Sequence, residues 1–257
     1  MNTSLETNHA LKPLVAVNHL GVTFDDISGD LEAIDDVSFE LRDNEFLCVL
    51  GPSGSGKSTL LRVLSGLLTP NRGEVHFRDS ERLPRVGLVF QQANLMPWRT
   101  AIENIALPLE MAGQTTDVIR QKSTEMIELV GLEEFANAYP DDLSGGMAQR
   151  VSIARALIQE PDILLLDEPF GSLDALTRDR MGGELLRIWQ TTRTAVILVT
   201  HSIPEALLLA DRVLVLSPRP GRIILDMPVS IPRPRNEEIR YSSEFLALER
   251  RLRAAIQ

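Results

Sequence analysis

Cysteine is almost missing from this sequence, which has one, Cys48, among 257 residues. A single thiol excludes an internal disulfide, and a chain without disulfides suits a reducing compartment. Cys48 lies within the apolar stretch 45–50. We therefore expect it to pack in the core.

Long hydrophobic runs are also lacking. The longest, at 195–199 and 163–166, are far shorter than the roughly 18 residues that a membrane helix needs. Residues 1–6 have neither a basic start nor an apolar stretch, so the sequence predicts no signal peptide. We expect a chain that does not itself cross a membrane, which leaves open a membrane protein as its partner.

Positive charge is in deficit. The chain has 26 Lys and Arg against 36 Asp and Glu, for a net charge of −10, which argues against a nucleic-acid partner. A hydrophobic content of 44% and a charged content of 24% are typical of a globular protein. The length fits one α/β domain that carries an inserted subdomain.

The hydrophobic pattern predicts the order of helices and strands. Alternation at 14–24 and 33–41 predicts antiparallel strands, and helical spacing at 102–111 and 117–130 predicts a mainly helical insertion over about 92–158. Strands separated by helices indicate a parallel sheet covered on both faces. The remaining predicted strands are 45–50, 74–77, 86–90, 162–166, 195–200, 213–216 and 223–227, and the remaining predicted helices are 58–68, 173–192 and 203–210.

A glycine-rich loop between a strand and a helix is typical of phosphate binding. It matches the GxxxxGK[ST] pattern, in which backbone N–H groups and a helix N-terminus face the phosphates. Lys57 is predicted to contact the β- and γ-phosphates, Ser58 to bind Mg²⁺, and Thr59 to contact the α-phosphate. The predicted ATP-binding residues are Gly51, Pro52, Ser53, Gly54, Ser55, Gly56, Lys57, Ser58 and Thr59.

A second motif, Leu143-Ser144-Gly145-Gly146-Met147, resembles the signature of the ATP-binding cassette (ABC) ATPases. The resemblance covers nearly the whole chain. It implies an α/β fold: a P-loop NTPase core, with a mainly parallel sheet and an antiparallel β subdomain, plus a helical ABC-specific subdomain. The implied ATPase domain is 14–240, with the core at about 14–91 and 159–227, the helical subdomain at about 92–158, and a C-terminal amphipathic helix at 237–257.

Two adjacent carboxylates end a buried strand at 163–168. Because side chains alternate along a strand, we expect Asp167 and Glu168 to point to opposite faces and to have different roles. The resemblance implies that Asp167 orients Mg²⁺ and that Glu168 polarises the attacking water, which is general-base chemistry.

The resemblance assigns four further residues to the nucleotide site. Gln91, preferred to Gln92 because it directly follows Val89-Phe90, joins the Mg²⁺ shell. His201 contacts the γ-phosphate, Phe24 stacks on adenine, and Asp174 belongs to a loop, Ser172-Leu173-Asp174, that crosses a dimer interface. The other histidines, His9, His19 and His76, have no such context.

One chain does not complete this site. Ser144 is expected to begin a helix, so Ser144, Gly145 and Gly146 offer free backbone donors for an anion. In the family, each ATP contacts the phosphate loop of one subunit and the signature of its partner. The resemblance therefore implies a head-to-tail homodimer that forms with ATP.

Three sequence segments indicate which group within the family this chain resembles. The segments 89–100, 167–178 and 216–223 look like those of the nitrate/sulfonate/taurine importer group. This implies a peripheral ATPase subunit on the cytoplasmic face of the inner membrane, bound to permease subunits and acting indirectly with a periplasmic solute-binding protein. The alternatives are the ATPase of a lipid or lipoprotein extrusion system and a non-hydrolysing ATP-dependent scaffold. Lys57, Glu168 and His201 argue against the scaffold.

For two segments the sequence leaves two interpretations open. Leu95, Met96 and Trp98 are expected in the core by default, with a docking groove for a helix of the transmembrane subunit as the alternative. The segment 237–256 has helical spacing with Arg250, Arg251 and Arg253. We expect it to pack on the domain, with a membrane or partner contact as the alternative.

Overall fold

The main sheet is built from apolar strands that are buried on both faces. A computed structural model describes residues 12–25, 29–78, 84–171 and 173–256. Its larger sheet has the order β5-β6-β7-β3-β8-β9, and all neighbours are parallel except β9, which runs antiparallel to β8. These strands are β3 (Phe46–Leu50), β5 (Val86–Val89), β6 (Ile163–Asp167), β7 (Ala195–Thr200), β8 (Arg212–Leu216) and β9 (Ile223–Pro228).

A smaller antiparallel sheet lies beside it, in the order β2-β1-β4. Buried and exposed residues alternate in β2 over 35–41, as expected where one face packs and the other meets solvent. Helix α1 (Lys57–Leu64) packs between the two sheets and shares their core. The strands are β1 (Val15–Phe24), β2 (Leu31–Leu41) and β4 (Arg72–Phe77).

Helix α1 is shorter than the helix predicted at 58–68. It ends at Leu64, because Gly66 adopts a φ of 74° and the backbone N–H groups of Leu67 and Leu68 turn back to the Arg62 carbonyl. The five leucines of 60–68 favour a helix, so the sequence pattern did not predict this turn.

Helices dominate between β5 and β6. They are α2 (Ala101–Met111), α3 (Thr116–Leu129) and α4 (Gly145–Leu157), with short 3-10 turns at Glu133–Phe135 and Pro140–Asp142. Helix α2 begins with a capping box, in which Thr100 and Glu103 satisfy each other's backbone N–H groups. Buried apolar residues of α2 and α4 join the second core, on the other side of the main sheet.

Three further helices follow β6: α5 (Ala175–Thr192), α6 (Ile203–Leu209) and α7 (Ser243–Ile256). The single helix expected from 237 is wrong, because a 3-10 turn at Glu237–Tyr241 precedes α7. Ser242 between them is extended, and its hydroxyl accepts the N–H of Phe245. Helix α7 packs on the domain through Phe245, Leu248 and Leu252.

No helix in the described ranges is both long and apolar enough to span a bilayer. Cys48 is fully buried in β3, as expected. The parallel direction of β3, β6 and β7 brings their carboxyl ends to one edge of the sheet. The glycine-rich loop, Asp167 and His201 follow or end these three strands, so they meet at that edge.

Candidate nucleotide site

The glycine-rich loop passes close under β2. A Cβ built on Gly56 would lie 2.6 Å from the Ala33 carbonyl oxygen, and Gly56 has a φ of 87°. Both observations demand glycine there. Gly56 is the N-cap of α1 and no side chain caps that helix end, which leaves its N–H groups available for an anion.

Lys57 is buried at the base of this loop. Its Nζ donates to the carbonyl oxygens of Gly51, at 3.0 Å, and Pro52, at 2.9 Å, and lies 3.8 Å from Oε1 of Glu168. Burial lowers the pKa of Lys57, and the charges of Glu168 and Asp167 oppose that effect. The ammonium is thus held in place by neutral oxygens and one carboxylate, ready for a phosphate oxygen.

Ser58 and Asp167 form a pair of oxygen ligands. The Ser58 hydroxyl donates to Oδ1 of Asp167 at 2.9 Å. Burial raises the pKa of Asp167, and the bond from Ser58 opposes this. Among the described residues no cluster of three His, Cys, Asp or Glu side chains could hold a metal by itself. Mg²⁺ fits such a sparse site, because it prefers oxygen ligands and usually takes one or two protein groups plus phosphates.

Glu168 turns away from Asp167 for a reason that strand alternation misses. Glu168 has a φ of 44°, so the chain leaves the strand at this residue. Its Oε2 lies 3.0 Å from Nδ1 of His201. The two carboxylates therefore face different partners, Ser58 and His201, as different roles require. A left-handed glutamate is uncommon, and strained residues of this kind concentrate at functional sites.

The loop, the carboxylates and Gln91 line one cleft of about 500 Å³. Gln91 lies at its wall, where a Cβ on Gly171 would approach its Nε2 to 3.0 Å; Gln92 is not among the lining residues. Phe24 lines the cleft and is half-buried. The lining residues are Phe24, Leu31, Ala33, Ser53, Gly54, Gly56, Lys57, Ser58, Thr59, Gln91, Asp167, Glu168 and Arg219.

Sequence reasoning missed Arg219 as a residue of this cleft. Arg219 lies just after β8, which is parallel to β3. A signal was available, because the residues that follow neighbouring parallel strands meet at the same edge as the phosphate loop. In the sequence, Arg219 stands out only as part of the segment 216–223, which resembles the importer group.

The signature residues lie outside this cleft. Ser144 and Gly145 are exposed, and the Ser144 hydroxyl caps α4 by accepting the Met147 N–H at 3.3 Å. Asp174 caps α5 by accepting the Thr177 N–H at 3.0 Å. None of the predicted residues Ser144, Gly145, Gly146 and Asp174 is among the described residues that line the cleft. Ser172 and His9 lie outside the described residues.

Comparison with known proteins gives consistent matches. The family model described as ABC transporter matches residues 34–171. The taurine import ATP-binding protein TauB of Rhizobium johnstonii is 43% identical over 253 residues, 95% of this chain and 96% of that protein. The aliphatic sulfonates import ATP-binding protein SsuB of Bacillus cereus is 40% identical over 230 residues, 87% of this chain and 90% of that protein.

A solved structure is also similar. The ATP-binding cassette MJ0796, in a dimeric post-hydrolysis state bound to ADP and Pi, superposes with a TM-score of 0.73 at 32% identity. The match covers 85% of this chain and all of that chain. The chain therefore belongs to the ABC transporter family, as an ATP-binding subunit that hydrolyses ATP.

Proposed function

We propose that this ATPase couples Mg-ATP hydrolysis to the uptake of a small anionic solute, of the nitrate, sulfonate or taurine type, across the inner membrane. The observation that carries the importer assignment is the 43% identity to a taurine import ATP-binding protein across nearly the full length of both chains. An aliphatic sulfonate import subunit is similar over 230 residues.

In this proposal the cleft binds ATP through the loop Gly51, Pro52, Ser53, Gly54, Ser55, Gly56, Lys57, Ser58 and Thr59, with Phe24 against adenine. Ser58, Gln91 and Asp167 would hold Mg²⁺, which when bound neutralises phosphate charge. Lys57 contributes a charge-assisted hydrogen bond, which is about twice as strong as a neutral one. The burial of Lys57 supports this role, because little water competes for its ammonium group.

Hydrolysis then depends on Glu168. Its carboxylate lines the cleft, near Lys57 and His201, where it can accept a proton from a water aimed at the γ-phosphate. His201 lies beside Oε2 of Glu168, and in this proposal it contacts the γ-phosphate. Position rather than covalent chemistry is what the protein supplies in phosphoryl transfer.

We propose that a second copy of the chain completes the site. Ser144 and Gly145 are exposed at the N-terminus of α4, whose unsatisfied N–H groups suit a phosphate. They do not line the cleft of their own subunit, and a head-to-tail pair would bring them to the ATP of the other subunit. Asp174 lies next to this surface, where a Cβ on Gly145 would meet the neighbouring Leu173 side chain at 3.2 Å.

The proposed permease contact is the surface around Trp98. For Trp98 the default expectation of a buried core residue is wrong, since this side chain is 71% exposed. Leu95 and Met96 are half-buried, and Leu95 packs against the core. The 2.7 Å bond between Arg99 and Glu110 joins its loop to the end of α2, where Met111 is 81% exposed. Neighbouring exposed apolar groups of this kind mark partner sites.

Replacing Trp98 by Ala is expected to lower solute uptake about tenfold while basal ATPase activity is retained, because a Trp at an interface often contributes about 2 kcal/mol or more. Uptake by cells and ATP hydrolysis by the purified subunit measure the two effects. Tyr241→Ala is the control, since Tyr241 is also exposed but lies on the C-terminal segment. Equal losses of uptake and ATPase activity in the Trp98 variant would contradict the docking assignment.

This proposal places the subunit at the cytoplasmic face of the inner membrane. A periplasmic solute-binding protein acts through the permease, and nucleic acid is not a partner, in keeping with the net charge of −10. The deciding experiment deletes the gene and measures uptake of labelled taurine, an alkanesulfonate and nitrate. Restoration by the wild type but not by Glu168→Gln supports import. Unchanged uptake of all three solutes, with a defect in lipid or lipoprotein export, would favour an extrusion system.

A further inference from the structure

Arg219 lies at the lip of the nucleotide cleft. A Cβ built on Gly54, in the middle of the phosphate loop, would lie 3.4 Å from Nη2 of Arg219. Arg219 and Lys57 line the same cleft, although they are distant in the sequence. The exposed guanidinium therefore stands beside the loop backbone that is shaped for phosphates.

A closed turn holds Arg219 in this place. The Ser217 N–H donates to the Arg222 carbonyl at 2.9 Å, and the Arg222 N–H donates to the Ser217 hydroxyl oxygen at 3.0 Å. The same hydroxyl donates to the Pro220 carbonyl at 2.8 Å. Arg219 thus lies on a turn that the hydrogen bonds of Ser217 stabilise.

The turn is also fixed to its surroundings. Gly221 donates to the Ala33 carbonyl and accepts the Asp35 N–H, each at 3.0 Å. Asp35, only 8% exposed, forms ion pairs with Arg222 and, at 2.8 Å, with Arg72. The hydrogen bond from Arg72 lowers the pKa of Asp35, so this carboxylate stays ionised at neutral pH. The turn therefore loses little further freedom when Arg219 binds a ligand.

Among the described residues, Arg219 differs from the neighbouring cations in having no partner. Lys57 is occupied by two carbonyl oxygens, and Arg72 and Arg222 share Asp35. Within the described part of the chain Arg219 makes no hydrogen bond and no ion pair. An unpaired guanidinium on a fixed backbone turn, beside a cleft for a polyanion, is suited to a phosphate oxygen.

We propose that Arg219 is a nucleotide-binding residue, whose guanidinium donates to a phosphate oxygen of the bound nucleotide from the outer side of the phosphate loop. This inference rests on the proposed nucleotide site. Lys57 then contacts the phosphates from the base of the cleft, and Arg219 contacts them from its exposed edge. The C-terminal turn then forms part of the ATP site.

The test is calorimetric titration of the purified protein with Mg-ADP, which needs no ATP-driven dimer. Arg219→Ala is expected to weaken binding about threefold to tenfold, because an exposed charged contact contributes less than a buried one. Arg219→Lys should recover part of the loss. Arg250→Ala is the control. Arg250 is exposed on α7, so this substitution removes the same charge at a site away from the cleft.

The salt dependence of binding separates a charge contact from a structural role. Loss of a phosphate contact should make the affinity of the Arg219→Ala variant fall less steeply with added salt. The proposal is overturned if Arg219→Ala binds like Arg250→Ala, or if Ala and Lys weaken binding equally with the salt slope unchanged. Lys57→Ala tests the site itself: normal Mg-ADP binding by that variant would contradict the nucleotide cleft rather than Arg219 alone.

Discussion

Replacing Glu168 by Gln is expected to slow steady-state ATP hydrolysis about 10²- to 10⁴-fold, the usual contribution of a general base. Glutamine keeps the shape of the side chain but cannot accept a proton from water. Nucleotide binding should remain, because the variant removes the 3.8 Å ion pair of Lys57 but keeps the two hydrogen bonds from Lys57 to the loop carbonyls. Phosphate release at saturating Mg-ATP measures the rate, and nucleotide titration measures the binding.

The control for this variant is Glu160→Gln. Glu160 lies just before the opposite end of β6 and pairs with Lys122 at 2.6 Å on the surface. It undergoes the same chemical change without touching the cleft, so we expect a nearly unchanged rate. A Glu168→Gln enzyme that hydrolyses ATP as fast as the Glu160→Gln enzyme would remove Glu168 from the proposed mechanism.

Replacing Gly221 by Ala is expected to destabilise the protein by about 2–4 kcal/mol, at the high end for a single substitution that overpacks a buried site. The new Cβ would lie 2.1 Å from the Ser55 carbonyl oxygen, a backbone atom of the phosphate loop. Neither backbone can move easily, because Gly221 is hydrogen-bonded to β2 on both sides. Denaturant unfolding monitored by circular dichroism measures the loss.

Gly183→Ala is the matched control, with the opposite sign. Gly183 lies inside α5, and a Cβ there would meet nothing within 4 Å. Alanine should stabilise the protein by about 0.5–1 kcal/mol, because glycine is the poorer residue in a helix interior. Equal free energies of unfolding for the two variants would show that the turn and the phosphate loop are not packed as described.

Sequence alone predicted the central strands and the phosphate loop because their signals are local. A run such as Phe46–Leu50 is buried throughout, and the GxxxxGKS pattern is continuous, so no distant contact is needed to recognise either. The roles of Gln91, His201 and Ser144 came from resemblance to a family. The structure places Gln91 at the cleft and His201 beside Glu168, whereas Ser144 does not line the cleft of its own subunit.

What the sequence did not predict depends on contacts between distant segments or on backbone angles. Arg219 reaches the cleft because its turn bonds to Ala33 and Asp35, nearly 190 residues earlier. The opposite directions of Asp167 and Glu168 come from the left-handed φ of Glu168, not from simple alternation. The exposure of Trp98 could not be read from its hydrophobicity, since apolar residues serve both cores and interfaces.

The most direct test of the proposed two-copy site is the mass in solution of the Glu168→Gln protein, measured by light scattering with and without Mg-ATP. The variant is expected to bind ATP and hydrolyse it only slowly, so we predict the mass of two chains with Mg-ATP and of one chain without it. Ser144→Arg in the same background should return the mass to one chain, because a bulky side chain would block the phosphate contact of α4. A Glu168→Gln protein that binds Mg-ATP at saturation and still has the mass of one chain would contradict the account.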